Sequence, residues 1–320
     1  MTAGRMMRVQ AMRYEAEGVL TFELRPLQGG ALAPAEAGAH IDLKLANGLL
    51  RSYSLCNAPG ETHRYVVGVS RDTASRGGSR FMHEDLRPGE HIEVTGPRNH
   101  FSLDESAPHT VLVAGGIGIT PLWAMAQRLQ ALGRPWALHY AARAATHAAF
   151  ADALRALAPD AVHTHFDDEC AGRLLDIRAI VAAAPPGAHF YCCGPVPMLR
   201  AFEDATAALP PARVHLEYFK APEPPPPAAD AVQGFEVELA RSGRVLHVSP
   251  GRSILDEMLD AGIDVPYSCM EGICGSCEIR LLAGEADHRD MVLSDAQKKA
   301  GESIMVCCSG ARSPRLVLDA

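Results

Sequence analysis

Apolar and polar residues alternate along much of the first hundred positions. Within His40-Ile-Asp-Leu-Lys-Leu45, the residues Ile41, Leu43 and Leu45 fall on one face. Asn47-Gly48 then predicts a hairpin turn of the I′ kind, with residues 49–55 as the return strand. Tyr65, Val67 and Val69 alternate next, then Ile92 and Val94 ahead of the Gly96-Pro97 break. Short strands with turns between them predict a small antiparallel β-barrel, interrupted by one helix over about 80–86.

The pattern changes after position 108. Thr110-Val-Leu-Val-Ala114 is apolar without alternation, as expected of a strand buried on both faces. It runs into Gly115-Gly-Ile-Gly118-Ile-Thr120-Pro121, and a helical pattern follows to about position 132. Thr120 is the expected N-cap and Pro121 the expected first helical residue. Further strands are predicted at 136–141, 162–166 and 189–193, separated by helical stretches, which specifies a doubly wound parallel sheet.

Ala221-Pro-Glu-Pro-Pro-Pro-Pro-Ala228 then ends the periodic pattern and predicts a semi-rigid spacer. Beyond it Phe235, Val237 and Leu239 alternate, 244–248 supplies a hairpin partner, and Ser253-Ile-Leu-Asp256 reads as a capping-box helix start. Leu316 and Leu318 close the chain as a last strand. The division expected is 1–104, 105–221, a linker at 222–232, and 233–320.

Composition narrows the function classes. The chain has 320 residues, 48% of them hydrophobic, and a formal net charge of −8 with no basic block. A dense basic surface is what nucleic acid or an anionic membrane requires, so neither is the expected partner. The start, MTAGRMMRVQ, lacks the apolar core of a signal peptide, and the longest apolar run, 111–126, is broken by glycine and proline. Nine cysteines without a framework spacing fit a reducing cytoplasm.

Four of those cysteines carry the strongest chemical signal. Cys269, Cys274 and Cys277 stand at C-x4-C-x2-C, and Cys307 follows after 29 residues. That is the plant-type spacing for a 2Fe–2S cluster, which needs two thiolates for each iron. Zinc sites pair short C-x2–4-C units, and no second pair occurs. Gly272 and Gly275 fall where a chain wrapping a cluster needs left-handed backbone. Cys308 follows Cys307 directly; the spacing and the following Ser309 select Cys307 as the ligand.

Two weaker motifs precede it. Arg51-Ser52-Tyr53-Ser54 places an Arg and an aromatic on one side of a strand and hydroxyls on the other, which suits a flavin nucleotide. Gly77-Gly78-Ser79 before a helix offers backbone donors to a phosphate. Alone, each piece also fits an ordinary surface strand or loop. The Gly115–Gly118 turn fits a pyrophosphate, although it is not G-x-G-x-x-G, and no ribose-binding acid follows in Ala141-Ala-Arg143-Ala. Cys192-Cys193-Gly194-Pro195 ends another strand at the same sheet edge, with no base evident to make Cys193 a nucleophile.

In this order, RSYSLCN (51–57), RGGSRFMHEDLRPGEHIEVTGPRNHFSL (76–103), VAGGIGITP (113–121), YCCGP (191–195), HLEYF (215–219), CMEGICGSC (269–277) and GEADHRDMVLSD (284–295) resemble the phthalate dioxygenase reductase family, which includes the vanillate demethylase reductases. The resemblance spans nearly the whole chain. It implies an FMN-binding barrel, an NAD domain of the ferredoxin-reductase type and a β-grasp ferredoxin domain. Carried over, Arg51, Ser52, Tyr53, Ser54, Gly77, Gly78 and Ser79 hold FMN. Gly116, Gly118, Thr120, Cys193, Gly194 and Pro195 line the nicotinamide nucleotide site, and Glu217 and Phe219 lie near the flavin.

The resemblance further implies an NADH-dependent reductase, expected as a monomer, that feeds a separate Rieske-type aromatic-ring or O-demethylating oxygenase. NADH gives two electrons together and a 2Fe–2S cluster takes one, so the flavin stands between them and no catalytic side chain is required. Arg143 leaves NADPH as the other nucleotide choice. The alternatives are supply to a haem-thiolate monooxygenase and, from another class, a redox-sensing binding protein. The sensor reading lacks any output element.

Overall fold

A computed structural model of the chain describes residues 4–73, 75–222 and 234–320, so the proline spacer lies almost wholly outside the described residues. The chain forms two compact units, Met1–Phe219 and Lys220–Ala320.

The first unit begins with β1 (Arg5–Ala16), β2 (Val19–Pro26), β3 (His40–Lys44), β4 (Leu50–Ser54), β5 (Tyr65–Ser70), α1 (Gly78–Glu84) and β6 (His91–Arg98). The six strands are ordered β4-β3-β6-β1-β2-β5, and every pair is antiparallel. Leu55 bridges Val67, and the Cys56 N–H donates to the Val66 carbonyl at 2.8 Å, which closes the sheet into a barrel. Inward alternation fills it with Met7, Val9, Phe22, Ile41, Leu43 and Val67.

Two local expectations are corrected. A I′ turn needs left-handed backbone at both central residues. Here Gly48 has φ +82°, but Asn47 does not have a positive φ. The Gly48 N–H instead donates to the Leu45 carbonyl and the Leu45 N–H to Leu49, a longer loop than expected. Asn47 uses its side chain to accept from the Leu49 N–H and donate to the Gly77 carbonyl. The helix also starts earlier than expected, at Gly78 rather than 80.

The unit continues with β7 (Thr110–Gly115), a 3-10 turn at Gly116–Gly118, α2 (Ile119–Ala131), β8 (Trp136–Ala142), α3 (Ala151–Leu157), β9 (Val162–Phe166), α4 (Ile177–Ala183), β10 (His189–Cys193), α5 (Val196–Thr206) and β11 (Val214–Glu217). The strands are parallel in the order β11-β10-β7-β8-β9, the doubly wound arrangement, with β7 central and buried throughout. Barrel and sheet share one core, in which Val19, Cys56 and Phe101 join Leu112, Ile119 and Tyr191. Polar ties reinforce it: Gln127 Nε2 donates to the Cys56 carbonyl at 3.1 Å, and the Phe150 N–H to Glu15 Oε1 at 3.2 Å.

The second unit holds β12 (Phe235–Leu239), β13 (Arg244–Val248), α6 (Ile254–Asp260), β14 (Glu278–Ala283), β15 (Ala286–Asp287), α7 (Asp295–Ala300), β16 (Ser303–Met305), β17 (Gly310–Ala311) and β18 (Arg315–Leu318). The larger sheet runs β13-β12-β18-β14-β16, with β12 and β18 parallel, and β15 pairs with β17. The capping box is formed: Ser253 Oγ accepts from the Asp256 N–H and Asp256 Oδ2 from the Ser253 N–H. It starts α6 so that Ile254, Leu255 and Met258 pack on Val237, Leu316 and Leu318, the core of a β-grasp fold.

Candidate functional site

The barrel motif forms as a strand and a helix start that meet. In β4, Arg51 and Tyr53 pair with Leu43 and Ile41, whereas Ser52 pairs with Asp42. The Ser52 hydroxyl donates to Asp42 Oδ1 at 2.6 Å, and Arg98 closes on Oδ2 at 2.6 Å, so Ser52 is committed to a buried carboxylate. Burial pushes the Tyr53 phenol up to about 12, so it stays neutral. Gly77 has φ +99°, the left-handed region in which a side chain is strained. A Cβ on Gly78 would lie 2.7 Å from Arg51 Nε. The guanidinium and the first turn of α1 thus converge, an arrangement that fits an anionic phosphate. Ser79 Oγ bonds Ser75 Oγ at 3.0 Å and accepts from the Asp72 N–H, which holds the loop.

At the carboxyl edge of the parallel sheet, two strand ends press together. A Cβ on Gly118 would strike the Cys193 carbonyl, and one on Gly115 would lie 2.6 Å from Pro195 Cδ and 2.8 Å from Met198 Sδ. Only glycine backbone allows this approach. The Tyr140 hydroxyl donates to the Gly116 carbonyl at 3.2 Å and steadies the turn. Thr120 does not cap the helix: α2 starts at Ile119, and the buried Thr120 hydroxyl donates to the Ile117 carbonyl at 3.0 Å. The intervening 3-10 turn displaces the helix start, so Thr120 and Pro121 sit inside it. The Thr120 methyl instead meets the barrel, where a Cβ on Gly68 would lie 2.8 Å away.

Cys193 pairs in register with Glu217 of β11 and with Ala114 of β7. Burial, then the charge of Glu217, pushes the Cys193 thiol well above its ordinary range, which leaves it a poor nucleophile. Glu217 shows part of its surface to solvent, but Oε2 is sealed without a hydrogen-bond partner, and burial pushes its carboxyl up to about 8. A buried polar atom without a partner at a ligand-binding edge fits a bound group that supplies one. Phe219, just past β11, is 39% exposed. Arg143 follows β8 as an exposed side chain, and its carbonyl accepts from the Asp168 N–H at 3.1 Å.

In the second unit Cys269, Cys274 and Cys277 lie on the loop before β14, and Cys307, just after β16, is brought against them. Cys274, Cys277 and Cys307 are buried, Cys269 is half-buried, and all nine cysteines are free. Hydrogen bonds from Cys274 and Cys307 hold the Cys269 thiol well below its ordinary range, and Cys277 is lowered by Cys307. Backbone N–H groups of Glu271 and Ile273 point at Cys269 Sγ, at 3.3 and 3.5 Å. Met270, Gly272 and Gly275 all have positive φ, at +59°, +71° and +72°, which turns the loop inward. No group of three or more His, Cys, Asp or Glu among the described residues is arranged for a single metal ion. Thiolates spread over a two-iron cluster, with backbone donors aimed at sulfur, are what this loop fits. Cys308 Sγ lies 3.8 Å from both the Met305 carbonyl and Ser309 Oγ.

Comparison with known proteins agrees. Residues 237–312 match the 2Fe–2S iron–sulfur cluster binding domain, and 112–204 the oxidoreductase NAD-binding domain. A solved phthalate dioxygenase reductase, described as a modular structure for electron transfer from pyridine nucleotides to [2Fe–2S], is 41% identical with a TM-score of 0.73. The match covers 99% of this chain and 98% of that one. This chain belongs to the phthalate dioxygenase reductase family. The phenoxybenzoate dioxygenase subunit beta of Ectopseudomonas oleovorans is 57% identical over 98% of this chain and 96% of its own. An intact type IV self-sufficient cytochrome P450 monooxygenase is 39% identical with a TM-score of 0.91; the match covers 99% of this chain but 41% of that one. As a phthalate dioxygenase reductase relative, the chain is an oxidoreductase that transfers electrons to an oxygenase. No helix among the described residues is long and apolar enough to cross a membrane.

Proposed function

We propose that the chain carries electrons from NADH through FMN and a 2Fe–2S cluster to a separate Rieske-type oxygenase of the aromatic-ring or O-demethylating kind, in the cytoplasm. The observation that carries the reading is the meeting of Cys269, Cys274 and Cys277, on the loop before β14, with Cys307, just after β16. The first unit supports it with two anion cradles, one on the barrel and one at the sheet edge. A flavin held there would supply the conversion between the two-electron chemistry of NADH and the one-electron chemistry of a 2Fe–2S cluster.

Each residue then has a part. Arg51, Gly77, Gly78 and Ser79 hold the FMN phosphate, and Tyr53 and Ser54 border the ring system on the strand that Ser52 ties to Asp42. Gly116, Gly118 and Thr120 shape the turn for the nucleotide pyrophosphate, with Cys193, Gly194 and Pro195 opposite. Glu217, neutral below about pH 8, is a proton-bearing group beside them, and Phe219 covers the flavin side. The four cysteines bind the irons, and the Glu271 and Ile273 amides stabilise charge on Cys269.

Supply to a haem-thiolate monooxygenase is a second reading, favoured by the likeness to a one-chain cytochrome P450. The Ectopseudomonas relative, by contrast, is matched over 96% of its own length and is named as a dioxygenase subunit. Mixing the cofactor-loaded protein and NADH with a purified Rieske oxygenase or a haem-thiolate monooxygenase decides between them. The proposal expects fast reduction of the first and slow reduction of the second; the reverse order overturns it.

A further inference from the structure

The segment 288–293 contains a buried carboxylate that the fold alone does not require. Asp290 is fully buried. Its Oδ1 accepts from the N–H groups of Val292 and Leu293, at 3.0 and 2.8 Å, which forms the turn. Its Oδ2 has no hydrogen-bond partner. His288 Nδ1, buried and itself without a hydrogen bond, lies 3.7 Å from Oδ2. Lys298 Nζ donates to the main-chain carbonyl of Asp290, at 2.6 Å.

The other side of Asp290 is the cluster loop. Gly272, between Cys269 and Cys274, approaches so closely that a Cβ there would lie 3.1 Å from Asp290 Cα and 2.5 Å from Cys308 Sγ. The Met291 N–H donates to the Gly272 carbonyl at 2.9 Å. An Asn would make the same turn through its own carbonyl oxygen. A buried negative charge is costly, and here it stands one residue's thickness behind the loop.

We propose that Asp290 is a positioning residue whose buried charge lowers the reduction potential of the cluster. The proposal rests on the cluster reading above. Reduction adds one negative charge to the cluster, and a nearby buried carboxylate opposes it. For a buried charge behind the loop the expected effect is about tenfold in the one-electron equilibrium, ~59 mV. Lys298 acts in the opposite sense, less strongly because it is half-buried and screened.

The test is an anaerobic redox titration of the cluster-loaded full chain, followed by visible and EPR spectra. Asp290→Asn keeps the turn and removes the charge, so the midpoint should move positive by about tenfold in the equilibrium, ~59 mV, with the cluster spectrum retained. Lys298→Met should move it negative. An Asp290→Asn midpoint equal to the parent's, or moved negative, overturns the proposal. If Asp290→Asn holds no cluster, Asp290→Ser, whose hydroxyl can accept the same N–H groups without a charge, is titrated in its place under the same criterion. A parent protein without a 2Fe–2S spectrum refutes the cluster reading instead, so the two failures are distinct.

Discussion

Gly78→Ala makes a sharp test of the phosphate cradle. The φ of Gly78 is not positive, and alanine is a better helix former than glycine by up to about 1 kcal/mol, so the fold should hold or gain slightly. The new methyl, however, would sit 2.7 Å from Arg51 Nε, 2.9 Å from Cγ and 3.1 Å from Cδ. A long side chain can swing aside at little cost, but the guanidinium then leaves the anion it is placed to bind. The loss is bounded by removal of the guanidinium itself: a charge-assisted hydrogen bond is worth about 1.5–3 kcal/mol, or roughly ten- to a hundredfold in Kd. Titrating flavin-free protein with FMN and following fluorescence quenching measures this directly. Arg51→Ala should weaken FMN by that factor, and Gly78→Ala by a similar or smaller one with its melting temperature unchanged or raised. In the Arg51→Ala background, Gly78→Ala should cost little more, because the two changes remove one interaction. Additive losses, or an Arg51→Ala protein that binds FMN like the parent, would refute the reasoning.

Other consequences follow from the remaining sites. Serine at Cys269, Cys274, Cys277 or Cys307 should abolish the cluster or change its spectrum while NADH-driven reduction of flavin-level dye acceptors persists; Cys308→Ser should keep the cluster, and the opposite result for 307 and 308 would reverse the ligand assignment. Glu217 has its folded-state pKa raised to about 8, so the folded state holds a proton that the unfolded chain releases near 4.5. Its contribution to stability therefore falls as pH rises from about 4.5 to 8 and then levels, and Glu217→Gln should flatten that part of a melting-temperature profile; parallel profiles would contradict the shift. Residues 233–320 hold 14 Asp and Glu against 9 Lys and Arg, a net of −5, with Glu271 in the cluster loop. Delivery to the oxygenase should slow as salt shortens the Debye length from about 30 to 8 Å, while reduction by bound NADH changes much less. Glu271→Lys should reproduce that slowing at low salt, and a rate indifferent to both would locate docking elsewhere.

What could be read in advance depended on how local its cause was. β9, β10, β12 and β13 fell where alternation or an unbroken apolar run placed them, because each pattern reports directly which faces are buried. The long first strand was less legible: register shifts between Val9 and Ala11 and between Tyr14 and Ala16 interrupt its alternation. The Thr120 error has a similar origin, since a 3-10 turn with glycine at both ends leaves no side-chain signal of where the α-helix starts. Cysteine spacing located the cluster loop, because the ligands are set by the thiols themselves. It could not show that Asp290 and Cys308 lie against Gly272, a contact made by segments distant in sequence. Likewise, the bond from Ser52 to Asp42 depends on β3–β4 register, which the Asn47-Gly48 signal predicted with the wrong turn.

The central claim is an order of electron flow, and rapid mixing of the cofactor-loaded protein with NADH tests it most directly. Flavin and cluster absorb at distinguishable wavelengths, so each can be followed in one anaerobic experiment, in the parent and in Cys274→Ser. In the parent, flavin bleaching should come first and cluster reduction second, both within a catalytic turnover. In Cys274→Ser the flavin should bleach as before, with the later phase absent. Cluster reduction that precedes flavin bleaching, or persists after FMN is removed, would contradict the account.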